Sequence, residues 1–159
     1  MSKLGIRPGC SYLLKEEEPK RGIRYFKKLL NLGFKGLCIT KIRPEEVRKS
    51  YDLKKTKIFQ LNDKKGIGNL SPKSPVCIIN KIEEFTSSTR KGAILFEGLD
   101  KLIEENNFLN TMSLLEDIND TIMTSESSLI LSLDDSKFSK KELAFLERNL
   151  ELSLNRGLR

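Results

Sequence analysis

The chain has no histidine, no tryptophan and only three cysteines. Without histidine, the Ser–His and Cys–His pairs that activate a nucleophile cannot be built. A zinc site would need an unusual ligand set. Cys10, Cys38 and Cys77 show no C-x-x-C spacing. The first two fall in or beside predicted strands and Cys77 in a predicted helix, so all three read as buried free thiols acting as small hydrophobes. No apolar run approaches the roughly 20 residues that cross a bilayer. The opening MSKLGIRPGCSYLL has neither a long apolar region nor a small-residue cleavage site, so no signal peptide is read and a cytoplasmic location is expected. At 159 residues the chain fits one domain, expected over 1–155 with a frayed tail at 156–159.

What the chain does have is alternation of short apolar runs with helical patterns. Lys91–Asp100, KGAILFEGLD, carries four consecutive apolar residues, Ala93 to Phe96, and then Glu97. A run without polar interruptions reads as a strand covered on both faces. Cys10–Lys15, Lys35–Thr40, Lys57–Leu61 and Ser128–Leu133 are the other predicted strands. Pro19 to about Leu32 reads as a helix with Ile23, Phe26, Leu29 and Leu30 inward and Gly33 as its left-handed stop. Further helices are predicted from Pro44 to about Tyr51, from Pro75 to the Ser87–Thr89 region, and from Phe108 to about Thr124, with a helical turn at Leu99–Glu105. A last helix is capped by Ser139 with Glu142 in an S-x-x-E box. Asn62–Leu70 is polar and turn-rich and reads as a surface loop. The expected fold is α/β: a three-layer sandwich with a mostly parallel five-stranded sheet and helices on both faces.

Right-handed crossovers place all strand C-termini on one edge of such a sheet. Glu16, Glu17, Asp63, Glu97, Asp100, Asp134 and Asp135 are thereby sent to that edge, with Glu16, Glu17, Glu97, Asp100 and Asp134 as the candidate acidic site. Gathered carboxylates could hold Mg²⁺. Ordinary service as helix-dipole partners and loop solubilisers is the plainer reading, and no metal site is assigned. Phosphate binding of the P-loop kind is disfavoured: the turn after the first strand is Lys15-Glu16-Glu17-Glu18-Pro19-Lys20, with no glycine to form an amide nest. Charge is uneven, with a net +10 in residues 1–60 and −3 in residues 61–159. Lys20, Arg24, Lys27 and Lys28 form a candidate basic surface, continued by Arg43, Arg48, Lys49, Lys54, Lys55 and Lys57. Either a nucleic acid or a solvated helix face accounts for it.

Five segments carry a resemblance: Gly9–Glu17 (GCSYLLKEE), Gly36–Thr40 (GLCIT), Pro44–Arg48 (PEEVR), Ile94–Leu102 (ILFEGLDKL) and Lys141–Arg148 (KELAFLER). In order and spacing the chain resembles the archaeal family catalogued as domain of unknown function 835. More distantly, the layout is similar to the RecA/KaiC-type ATPase core, with Gly9–Leu14 like the strand that enters its phosphate loop. Ile94–Glu97 is like its second acidic motif, where Glu97 stands for the carboxylate that serves metal and water. The phosphate loop itself is replaced by Glu16–Pro19. The resemblance therefore implies a degenerate, non-hydrolytic relative of P-loop-like topology. The function expected is a non-catalytic regulatory or protein-interaction module with an unknown protein partner, no cofactor and no membrane contact. Two alternatives stay open: a nucleotide- or Mg²⁺-dependent enzyme using the edge around Glu97, and nucleic-acid binding through the basic N-terminal half.

Overall fold

The computed structural model describes residues 5–53, 56–150 and 152–153. The expected frayed tail and the basic residues Lys54 and Lys55 lie outside the described residues. The elements run β1 (Ser11–Lys15), α1 (Lys20–Asn31), β2 (Lys35–Thr40), α2 (Pro44–Tyr51), β3 (Lys57–Leu61), β4 (Asn69–Leu70), α3 (Pro75–Ser87), β5 (Gly92–Glu97), α4 (Leu99–Met123), β6 (Ser128–Leu133), α5 (Lys140–Asn149) and β7 (Leu152–Ser153).

The sheet holds seven strands in the order β4-β3-β2-β5-β6-β1-β7, and every pairing is parallel. This corrects the expected five. All five expected strands are present, and two strands of two residues each add the edges. Asn69–Leu70 pairs with Gln60–Leu61, at the end of the stretch read as loop. Leu152–Ser153 pairs with Tyr12–Leu13. Two residues are too few to leave any periodicity in a sequence.

Helices cover both faces, which is why the central strands carry no polar alternation. Ile23, Phe26 and Leu29 of α1 and Val47 of α2 are buried with Leu14, Cys38, Leu95 and Ile130. Ile78, Ile82, Leu115, Ile118 and Leu146 of α3, α4 and α5 are buried with Leu13, Ile39, Ile94, Phe96 and Leu131. Neighbouring strand residues thus serve opposite layers, as a period of two demands. The chain leaves β1 toward β2 and β3 under one layer of helices. It returns through β5, β6 and β7 under the other, the change of face that right-handed crossovers require when the direction reverses.

Local signals fix the element ends. Gly33, at φ +95°, closes α1: its N–H donates to the Leu30 carbonyl at 3.0 Å and that of Phe34 to the Leu29 carbonyl at 3.1 Å, the doubled bond of a Schellman stop. Ser139 and Glu142 form the reciprocal capping box at α5. Helix α4 is broken at Asn107, whose backbone is non-helical. Its Oδ1 accepts the Asn110 N–H at 2.9 Å and so caps the second run. The expectation of a first turn and a separate longer helix describes this break. The thiol reading needs correction: Cys38 is buried, Cys10 half-buried and Cys77 exposed. Cys77 lies in the first turn of α3 beside the core stripe rather than in it, and its sulfur accepts the Ser74 hydroxyl at 3.1 Å.

Candidate functional site: a self-neutralised acidic edge

Of the seven carboxylates expected at the carboxyl edge, Glu16, Glu17, Glu97, Asp100 and Asp134 line one cleft, together with Pro19, Lys41, Gly98 and Ser132. The cleft spans the two places where neighbouring strands send their chains to opposite faces, β1 against β6 and β2 against β5. In an open α/β sheet such switch points are the usual seat of a ligand.

Glu16 follows β1, and its side chain is 8% exposed. One carboxylate oxygen accepts the Arg21 N–H at 2.8 Å. The other accepts the Gly22 N–H at 2.9 Å and the Ser132 hydroxyl at 2.8 Å. The first-turn amides of α1, the groups that would cradle an anion, are thus held by the chain's own carboxylate. Gly22 permits this approach, since a Cβ there would stand 3.1 Å from the Glu16 carboxylate and 3.2 Å from Leu95. The Arg21 guanidinium donates to the Lys15 carbonyl at 2.8 Å and lies 4.0 Å from Glu16.

Glu97 ends β5 and is 7% exposed. It accepts the Thr40 hydroxyl at 2.6 Å and the Lys41 N–H at 3.2 Å. Gly98 then takes φ +112°, a left-handed turn that lets α4 begin at once and returns Asp100 to the cleft. The Lys41 ammonium stands between the two carboxylates, 3.9 Å from Glu97 and 3.0 Å from Asp100. Lys137 adds a second contact to Asp100 at 3.2 Å. Burial pushes the Asp100 carboxyl up, but the hydrogen bonds and charges of Lys41 and Lys137 outweigh it and hold the group below its ordinary value. Asp134 accepts the Ser136 hydroxyl at 2.6 Å and its N–H at 3.0 Å, which also lowers its carboxyl. Glu17 is exposed at the rim.

Free space inside this cleft is about 10 Å³, the room of one water at most. A nucleotide needs a cavity in the range of about 300–1,000 Å³. Among the described residues, no three Cys, Asp or Glu side chains gather closely enough to hold a metal ion. The residues present therefore do not fit the Mg²⁺–nucleotide pair that an ATPase-like layout implies. Asp63 and Asp135 are outside the cleft; Asp63 instead accepts the Ser71 hydroxyl at 2.6 Å.

The candidate basic surface stays apart from this site. Lys20, Arg24 and Lys28 are exposed and Lys27 half-buried on α1, with Lys20 3.4 Å from Glu18. Tyr12 is buried and Tyr25, Tyr51 and Phe59 half-buried, so the nearby rings serve packing. Sequence reasoning missed the partners that neutralise the acidic edge: Thr40, Lys41, Ser132 and Lys137. Thr40-Lys41 at the end of a predicted strand was the one readable hint.

Fold and cleft together define a doubly wound, wholly parallel α/β domain whose ligand edge is closed by its own side chains. The chain belongs to the family described as Protein of unknown function (DUF835), whose model matches residues 15–150. A solved structure from Pyrococcus horikoshii OT3, a structural study of project PH0250, superposes with a TM-score of 0.65 at 13% identity. The match covers 94% of this chain and 84% of that one, and at this identity it speaks for the fold alone. No curated protein matches the chain. No helix among the described residues is long and apolar enough to cross a membrane.

Proposed function

We propose that this chain is a non-catalytic regulatory or protein-interaction module of an archaeal, cytoplasmic protein, built on a degenerate ATPase-like core. The observation that carries the reading is the Glu16 carboxylate bonded to the first-turn amides of α1. An anion-binding helix end is the physical basis of phosphate capture in P-loop and dinucleotide folds. Here an internal anion of the same sign occupies it and would repel a phosphate. The Lys41 contacts add to this, since an ammonium between Glu97 and Asp100 takes the place a divalent cation would need.

The test is nucleotide turnover and thermal stability of the purified chain with ATP or GTP, with and without Mg²⁺ or Mn²⁺. A ligand that binds the native state raises the melting temperature by mass action. No turnover and no shift at millimolar nucleotide are expected. Hydrolysis lost on Glu97→Gln would replace this reading with an enzyme at the acidic edge.

A further inference from the structure

A roomier concave surface than the acidic cleft lies at the opposite end of the sheet, where the strands begin. One groove of about 560 Å³ is walled by Leu30, Phe34 and Phe85 and edged by Lys35 and Lys57. A second, of about 320 Å³, lies on the other side of Phe34 and is edged by Arg90 and Lys91. Phe34 divides the two.

The four cations are placed by the register. Lys57 opens β3, Lys35 opens β2 and pairs with Gly92 of β5, and Arg90-Lys91 immediately precedes β5. The order β3-β2-β5 makes these neighbouring strands, at about 4.8 Å spacing. The cations thus form a row across the sheet end, although they are scattered in the sequence. All four are exposed, and none forms an ion pair among the described residues. Glu126 is the one carboxylate among the described residues lining the two grooves. Apolar surface is set into this row: Leu32 is 51% exposed beside Phe34.

We propose that this end of the sheet docks an acidic peptide segment of a partner protein, with carboxylates on the lysine–arginine row and an apolar side chain against Phe34 and Leu32. The proposal deepens the interaction-module reading and rests on it. Unpaired cations of one sign favour a partner of the other and steer its approach. A peptide fits better than a nucleic-acid strand, because base stacking needs an open aromatic face. Phe34 is half-buried with the Lys91 ammonium 5.9 Å over its ring, and Phe85 packs into the core.

Fluorescence anisotropy with two probes decides the matter: a short dye-labelled peptide in which glutamates flank a Leu-Phe pair, and dye-labelled oligothymidylate of similar charge. The peptide is expected to bind, and more weakly as salt rises. Reversing Lys57 and Lys91 together to Glu should weaken it on the order of tenfold. Lys27→Glu, on α1, should leave binding unchanged, and unaltered melting temperatures would show that the variants fold. Absence of peptide binding, or binding indifferent to the reversal, overturns the proposal. So does tighter binding of oligothymidylate that the same reversal abolishes. Failure here with no nucleotide turnover removes the groove alone, whereas turnover lost on Glu97→Gln removes the module reading and leaves the groove to be judged by its own binding.

Discussion

Replacing Glu16 by alanine removes in one step the acceptor of the Arg21 and Gly22 amides and of the Ser132 hydroxyl. The side chain is 8% exposed, so water only partly takes over these donors. Hydrogen bonds to a charged group contribute about 1.5–3 kcal/mol each, and they do not add when they share one acceptor group. Loss of a helix N-cap costs about 0.5–2 kcal/mol by a related route. Glu16→Ala is therefore expected to destabilise the domain by roughly 2–4 kcal/mol. For a domain of this size, about 2–4 °C of melting temperature accompanies each kcal/mol, giving a fall of about 5–15 °C. Glu16→Gln keeps one carbonyl acceptor and should fall in between. The alanine variant also frees an anion cradle, so sulfate should restore part of its lost stability. Sulfate stabilises most proteins through exclusion from their surface, and the readout is the difference between variant and wild type in matched salt, by thermal melting. An alanine variant that melts with the wild type, or a sulfate effect equal in both, would refute the assignment of those amides to Glu16.

Two further outcomes concern the Lys41 side of the cleft. The folded Asp100 carboxyl lies below its ordinary value of 3.8, so its contribution is present above that pH and lost as pH falls through the folded value. Urea melts should show Asp100→Asn less stable than wild type near neutrality, with the gap closing below about pH 4; a gap that widens in acid would contradict this. Gly98→Ala places a Cβ at φ +112°, 3.0 Å from Leu61 and 3.4 Å from Lys41. A loss of at least about 1–2 kcal/mol is expected from the left-handed backbone alone, and an unchanged melting curve would count against the turn as described.

Much of the fold was legible because burial on both faces writes itself as apolar runs. Lys35–Thr40, Lys57–Leu61 and Ser128–Leu133 are strands with the bounds the sequence suggests. The edge strands β4 and β7 were not legible, because two residues of pairing depend on what lies beside them rather than on any pattern of their own. The same division holds at the site. Parallel topology alone sends seven carboxylates to one edge, and five of them, Glu16, Glu17, Glu97, Asp100 and Asp134, line the cleft. That Lys41 stands between Glu97 and Asp100, or that Ser132 reaches Glu16, follows from packing between segments remote in sequence. The row of Lys35, Lys57, Arg90 and Lys91 was hidden for a related reason. A clustering of charge along the chain drew attention to α1, while this row arises only when three strands are set side by side.

Strand β1 pairs with β6 and β7, the last two strands of the chain, and Ser11 lies opposite Leu129. The first strand of this sheet to be synthesised is therefore among the last to find its place. Until β6 arrives, Tyr12, Leu13 and Leu14 have no sheet neighbours, and Glu16 lacks the Ser132 hydroxyl that completes its shell. Long-range pairing of this kind slows folding, because a large loop must close before any contact rewards it. During synthesis, β2, β3, β4 and β5 can assemble with α2 and α3 first, leaving an apolar N-terminal strand that the finished half-sheet must wait to receive.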